Sequence, residues 1–323
     1  MNALPKDLTL RLERIFTKEE ITLLKTSISQ EKRNVSCRVN TLKSTQNEIE
    51  EAFQKASLWY TKLDSPAWAY IFDTWVSEKD LWKLKIYKAG KIYLQGISSQ
   101  IPANFFSMEK ESENLRILDA CAAPGWKTGQ LRELYPNAEI WAFEPSKIRH
   151  EKMQHNFSKL WYENIQTIHD DVRNISSYVP DESYFDMILI DAPCSGEGSI
   201  TLWNEKYLQN WSLWQIKKYY SLQKSICAAL IPYLKQWGEL IYSTCTIAPE
   251  ENEWIVHYLL CNNQNLQLKN IDLEENKYIK IKKWLKQFEK YHFKNEISEH
   301  CIRVIPSEYS EWFFISKLIK WAL

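Results

Sequence analysis

The rhythm of apolar residues changes along this chain near residue 115. Before that point the patterns are short and mixed. Leu8, Leu12, Ile15, Phe16 and Leu23 recur near helical spacing, with Leu10, Ile21 and Leu24 as further apolar positions, and predict a helix over 8–24. Val39-Asn40-Thr41-Leu42 reads as a strand, 46–56 as a helix and Tyr70-Ile71-Phe72 as another short strand. Residues 1–90 therefore read as a small α+β domain, joined to the rest by a bridge over 91–110. After 115 the alternation becomes regular. Strands at 115–118, 139–143 and 165–169 interleave with helices at 128–134 and 146–160. A strand ending at Asp191, a long helix over 213–234 and a strand ending near Cys245 follow, and 312–318 is a further strand. Strands alternating with helices predict an α/β, doubly wound, Rossmann-like parallel sheet over 91–323. Pro249-Glu250-Glu251-Asn252-Glu253 reads as the opening of a helix, since proline suits the first turn and acids complement the macrodipole.

Composition excludes some classes. No run of about 18 apolar residues exists, and the N-terminus lacks the apolar core of a signal peptide, so the chain reads as a soluble cytoplasmic protein. Its seven cysteines form no CxxC pair and no zinc spacing, which implies reduced thiols and no metal. Forty-one basic residues balance 41 acidic ones, so global charge does not attract a nucleic acid, but local patches remain open. One patch is Lys79, Lys83, Lys85, Lys88 and Lys91. Another spans 277–290, where six lysines alternate with Ile281, Trp284, Leu285 and Phe288 at the spacing of a helix docking on a core. Of the 15 tryptophans most are expected in the core or at interfaces, with a few left to stack on bases.

Candidate chemistry gathers where the strands stop. Phe185–Ile190 runs into Asp191-Ala192-Pro193-Cys194-Ser195-Gly196-Glu197-Gly198, and Leu240–Tyr242 runs into Ser243-Thr244-Cys245-Thr246. Parallel strands present their carboxyl ends on one edge, where ligands bind. Two thiols there, one close to Asp191, point to covalent chemistry rather than packing. The first turn, Asp119-Ala120-Cys121-Ala122-Ala123-Pro124-Gly125-Trp126-Lys127-Thr128, lacks GxGxxG, and Trp126 stands where a phosphate-binding loop needs glycine. The next strand ends at Glu144, placed to accept ribose hydroxyls, and the third at Asp170-Asp171, placed for an adenine edge. An ordered series of acids around a small-residue turn suits a nucleoside cofactor without phosphates, and S-adenosylmethionine is one.

These segments resemble the Sun family of RNA (cytosine-5) methyltransferases, and within it the bacterial 16S ribosomal RNA branch. Arg38–Lys43, Tyr93-Leu94-Gln95 with Ser98-Ser99, Asp119–Thr128, Asp191–Gly198, Ser243–Glu253 and Phe313–Ile315 carry the resemblance, over roughly residues 35–320. It implies an S-adenosylmethionine-dependent enzyme in which a thiolate adds to cytosine C6 and makes C5 nucleophilic. By resemblance Cys245 is that nucleophile, Cys194 assists proton removal and release, Asp191 binds the base edge, and Lys127 orients the ring and stabilises the thiolate. The residues alone leave open which cysteine does which. The cofactor set so implied is Asp119, Cys121, Ala122, Ala123, Pro124, Gly125, Trp126, Lys127, Glu144, Arg149, Asp171 and Asp191. The partner would be ribosomal RNA or the small ribosomal subunit, with transfer RNA as an alternative, acted on by a monomer through an N-terminal RNA-binding domain.

The chain departs from the family at three places. Trp126 replaces a glycine, Glu144 replaces an aspartate, and Ser199-Ile200-Thr201-Leu202-Trp203 replaces a stretch often basic. Longer bacterial relatives carry an extra C-terminal RNA-binding domain that this sequence does not display. Trp126 and the altered 199–203 stretch motivate a second reading, a catalytically weak RNA-binding or assembly factor. A DNA cytosine methyltransferase would need a Pro-Cys-Gln loop, and an amino-methyltransferase an Asp/Asn-Pro-Pro-aromatic turn; neither is present.

Overall fold

The single helix expected over residues 8–24 is two helices, α1 (Lys6–Ile15) and α2 (Lys18–Ser29). Thr17 divides them. Its hydroxyl accepts the Glu20 amide and the Glu20 carboxylate accepts the Thr17 amide, a reciprocal cap that starts a new helix. The computed structural model describes residues 4–30, 33–109, 114–282, 285, 287–288 and 291–322. The chain forms two compact units, Arg33–Val172 and a second made of Met1–Lys32 with Arg173–Leu323. These units do not follow a division at residue 90.

In the unit of residues 33–172, β1 (Ser36–Val39), α3 (Gln46–Lys55), β2 (Tyr60–Lys62), β3 (Ala69–Phe72) and β4 (Ile92–Leu94) come first. The strands form an antiparallel sheet in the order β2-β3-β1-β4. Val39, Ile49, Phe53, Tyr70 and Phe72 are its buried core. Because β4 pairs with β1, this sheet runs past residue 90. The strand expected at 39–42 ends at Val39. Asn40 turns the chain: its side-chain carbonyl accepts the Leu42 amide, and its Nδ2 donates to the carbonyls of Gly90 and Leu160.

The same unit then alternates strictly: β5 (Arg116–Asp119), α4 (Trp126–Leu134), β6 (Glu139–Phe143), α5 (Lys147–Leu160) and β7 (Ile165–Ile168). The three strands are parallel, β5 beside β6 beside β7. Ile117, Leu118, Ile140, Ala142 and Phe143 are fully or almost fully buried, as expected for parallel strands covered by helices.

In the other unit, β8 (Phe185–Asp191), α6 (Leu213–Leu230) and β9 (Leu234–Thr244) make a second parallel crossover. The helix stops at Leu230, short of the expected 234, because Pro232 cannot continue it. Next come α7 (Glu253–Asn262), β10 (Leu266–Lys269), β11 (Lys280–Lys282), β12 (Gln287–Phe288), β13 (Tyr291–His292), β14 (Ile302–Ile305) and β15 (Phe313–Lys320). Here the sheet ceases to be parallel. β15 lies antiparallel against β9, and β14 and β10 share its other edge. Of the stretch 277–290 expected as a helix, Lys280–Lys282 and Gln287–Phe288 are strands instead, with Ile281 opposite Val304 and Phe288 opposite Tyr291. Strand pairing overrides the 3.6-residue spacing. Lys283, Trp284, Lys286, Glu289 and Lys290 of that stretch lie outside the described residues. The helix expected to open at Pro249 begins at Glu253, and 249–252 are turn. Among the described residues no helix is long and apolar enough to cross a membrane.

Candidate active site

The turn after β5 is built around Gly125. Its φ of +100° would strain any side chain, and a Cβ there would meet the Phe157 ring at 2.5 Å. The left-handed residue is thus Gly125, while Trp126 is already the first residue of α4. A large residue is therefore tolerated at 126. Its indole lies edge-on to Tyr93 and is 37% exposed, so it is neither a buried core residue nor a strain on the turn.

Asp119, at the end of β5, is buried and accepts the Thr128 hydroxyl at 2.6 Å, tying the strand to the start of α4. Ala122, Ala123, Pro124 and Cys121 complete the turn, with the Ala122 amide bonded to the Phe143 carbonyl at 2.9 Å. Glu144, at the end of β6, is buried, and its carboxylate accepts the Ser146 amide at 2.9 Å. Arg149 from α5 reaches it at 3.0 Å and also donates to the Ala123 carbonyl, so this arginine joins the first turn to the second strand end. After β7, Asp170 accepts the Asp171 amide at 2.7 Å and serves its own turn. These residues fit S-adenosylmethionine: three strand ends carry carboxylates, the first turn is small and backbone-rich, and no phosphate-binding loop is present.

Lys127 is not a surface lysine. It is buried on α4, and its Nζ lies 2.9 Å from Ser99 Oγ. Ser99 belongs to a polar network that sequence reading matched as motif but gave no role. Gln95 Oε1 accepts Arg38 Nε at 3.1 Å, and Gln95 Nε2 donates to the Ser99 carbonyl at 3.1 Å. Arg38 is also paired with buried Glu133, which takes the Tyr162 hydroxyl as well. Burial pushes the Glu133 carboxyl up, and the Arg38 guanidinium opposes it.

The two thiol segments lie together in the other unit. Cys194 Sγ and Cys245 Sγ are 3.3 Å apart. Asp191, at the end of β8, accepts Ser243 Oγ at 2.8 Å, so the carboxylate is oriented by the neighbouring strand. The hydrogen bond shared with Cys245, and then burial, hold the Cys194 thiol well above its ordinary value.

Four residues that read as a helix opening are anchors. Glu250 pairs with Arg11 of α1 at 2.5 Å, and Glu253 pairs with the buried Arg303. Asn252 accepts the Thr244 hydroxyl and donates to the Thr246 carbonyl. Glu251 accepts the Ser195 amide and hydroxyl and Gln223 Nε2. The unusual 199–203 stretch has an equally local purpose: the Leu202 amide donates to the Ile28 carbonyl at 2.8 Å and Trp203 Nε1 to the Ser29 carbonyl at 2.9 Å, seating α2.

Burial pushes Glu251 up to about 8. A carboxyl raised above its unfolded value of 4.5 binds a proton preferentially in the folded state. Its contribution to stability is full below pH 4.5 and is lost as pH rises through about 8. Thermal melts between these limits should therefore fall more steeply with pH for the wild type than for Glu251→Gln. Parallel curves would place the titration elsewhere.

Among the described residues nine tryptophans are more than a third exposed, Trp59, Trp68, Trp75, Trp82, Trp126, Trp161, Trp203, Trp214 and Trp237, and so fall on the interface side of the expected core-or-interface division. Lys43 sits over the Trp161 ring at 3.8 Å. Lys79, Lys83, Lys85 and Lys88 are exposed, beside Trp75 and Trp82 in sequence.

Comparison with known proteins identifies the family. Residues 107–319 match the family described as 16S rRNA methyltransferase RsmB/F. The ribosomal RNA small subunit methyltransferase F of Aeromonas hydrophila is 34% identical over 233 residues, 70% of this chain and 47% of the relative. That of Aliivibrio salmonicida is 33% identical over 234 residues, with the same coverage. The chain thus spans about half the length of the curated relatives it matches. The crystal structure of a methyltransferase homolog protein from Pyrococcus horikoshii superposes with a TM-score of 0.82 at 25% identity, over 98% of this chain and 95% of that one. The structure of NSun6 from the same organism, solved with SFG, has the same fold, with a TM-score of 0.79 at 21% identity over the whole of both chains.

Proposed function

This chain belongs to the 16S rRNA methyltransferase RsmB/F family, and from that premise we propose that it methylates C5 of a cytosine in RNA, with S-adenosylmethionine as donor and small-subunit ribosomal RNA as substrate. The observation that carries the reading is the pair of thiols at 3.3 Å, on the segments that follow Asp191 and its hydrogen-bond partner Ser243. A weak or inactive assembly factor has no use for that pair, and both departures that motivated it have structural explanations.

The cofactor, when bound, supplies an electrophilic methyl group. Glu144 and Asp171 would hold its ribose and adenine, and the 119–127 turn its remaining parts. In the protein's own chemistry, Cys245 adds as thiolate to C6, and its S–C6 bond raises electron density at C5. Asp191 stabilises the protonated N3/N4 edge of the adduct. Lys127 orients the base. Once the Cys245 sulfur is bonded to carbon, the contact that most strongly keeps Cys194 protonated is gone. After C5 carries the methyl group, the Cys194 thiol gives its proton to solvent and the thiolate takes the C5 proton; the C5=C6 bond re-forms and Cys245 leaves as thiolate. The N-terminal sheet, with exposed Trp59, Trp75 and Trp82 and lysines 79, 83, 85 and 88, is assigned to RNA contact by stacking and phosphate pairing. A cytoplasmic monomer is part of this proposal.

The test is incubation with S-adenosylmethionine and, in parallel, 16S ribosomal RNA, small ribosomal subunits and transfer RNA, followed by bisulfite sequencing. New 5-methylcytosine in the ribosomal substrates is expected. Methylation of transfer RNA alone would transfer the substrate assignment, and no methylcytosine in any arm would end the proposal. The cofactor half has its own check. Glu144→Ala should weaken S-adenosylhomocysteine binding by about ten- to a hundred-fold, the weight of hydrogen bonds to a charged group, while Glu144→Asp should nearly restore it. Unchanged calorimetric affinity in the alanine variant would mean another acid holds the ribose.

A further inference from the structure

Two buried acids cross between the thiol segments in opposite directions. Glu251 follows Cys245 in sequence but grips the residue after Cys194: it accepts the Ser195 amide at 3.0 Å and the Ser195 hydroxyl at 2.5 Å. Glu197 follows Cys194 but grips the residues after Cys245: it accepts the Thr246 hydroxyl at 2.8 Å and the Ile247 amide at 3.2 Å. Ser195 and Thr246 close the circuit, hydroxyl to hydroxyl, at 2.8 Å. Each acid is held in turn from outside, Glu251 by Gln223 Nε2 at 2.8 Å and Glu197 by Trp211 Nε1 at 2.7 Å. The backbones also lock, with the Gly198 amide on the Cys245 carbonyl at 2.7 Å. A Cβ at Gly198 would meet that carbonyl oxygen at 2.7 Å and the Trp312 carbonyl oxygen at 2.6 Å, so only glycine permits the approach.

We propose that Glu251 and Glu197 are positioning residues, a reciprocal clamp that sets the distance between the Cys194 and Cys245 sulfurs. Neither acid touches a sulfur by hydrogen bond in this structure. Their burial is costly for carboxyl groups, and it raises both above the ordinary carboxylate range. An apolar contact would join the two loops more cheaply, but it would not fix them to within tenths of an ångström. A pair of thiols that must act in sequence on one ring needs that fixity. This inference rests on the reading that both sulfurs serve one reaction.

The inter-thiol distance can be read without RNA or cofactor. Diamide, an azo oxidant, takes two electrons and two protons from a thiol pair, becomes the hydrazine and leaves an S–S bond. Peptide mapping then reports the Cys194–Cys245 crosslink against the other five cysteines. The variants are Glu251→Gln, Glu197→Gln and the milder Ser195→Ala, which serves if a glutamine variant does not fold. Glu250→Gln, which breaks only the Arg11 pair, is the control. In folded Glu251→Gln and Glu197→Gln, crosslinking and kcat should each fall by about ten-fold, the weight of a buried hydrogen bond whose partner is left unsatisfied. KM for RNA should stay within about two-fold, since substrate binding is not what the clamp supplies. The control should crosslink at the wild-type rate. A wild type that forms no Cys194–Cys245 crosslink overturns the clamp, as do folded clamp variants that crosslink and turn over normally. If the variants lose crosslinking while wild-type protein methylates no cytosine, the clamp stands and the functional reading fails.

Discussion

Cys245→Ala is expected to abolish methyl transfer, lowering turnover by more than about a thousand-fold, because without the sulfur C5 never becomes nucleophilic. The substitution should leave the fold and cofactor binding intact. Cys245 lies beyond the end of β9, and the contacts that hold its loop come from Thr246, Gly198 and Asn252 rather than from its own side chain. A labelled-methyl assay, a thermal melt and a cofactor titration on one preparation decide it. Turnover near the wild-type level would show that the sulfur is dispensable and end its assignment as nucleophile.

Cys194→Ala should fail at a later step, and so should look different. Addition through Cys245 and methylation proceed, but no group waits to take the C5 proton, and the protein remains bonded to its RNA. The expected result is an RNA-dependent band of retarded mobility on a denaturing gel, absent from the Cys194/Cys245 double alanine variant. Hydrogen bonding to Cys245, and then burial, raise the Cys194 thiol above its ordinary value. Absence of the band, or its persistence in the double variant, would refute the division of labour.

Much of this site was legible in local stretches of sequence. Strand, small-residue turn and helix over 116–134 follow from alternation and turn chemistry within a window of some twenty residues. So does the placement of Asp119, Glu144, Asp191, Cys194 and Cys245 near the ends of strands, because strands stop where apolar runs stop. The capping box at Thr17 was also written locally, in Thr17-Lys18-Glu19-Glu20, but a broad apolar pattern masked it. The 277–290 stripe misled for a related reason. Alternating lysines and apolar residues satisfy a helical period and a strand period almost equally over a short run, and pairing with β14 decided in favour of the strand.

What tertiary structure alone decided is who holds whom. Ser195 and Glu251 are 56 positions apart, Arg38 and Glu133 95 apart, and Arg11 and Glu250 239 apart. No periodicity reaches across such distances. A buried carboxylate therefore looked like a helix-opening acid until its donors were in view. The same holds for Trp126, whose glycine-like position in the motif suggested strain; the backbone assigns the left-handed conformation to Gly125 and leaves Trp126 helical. Sequence by itself determined the order of elements, the chemical identity of the candidate groups and their place near a common kind of strand end. The fold decided that two of those groups stand 3.3 Å apart and that buried acids hold them there, because hydrogen-bond partners are chosen by position in space rather than by distance along the chain.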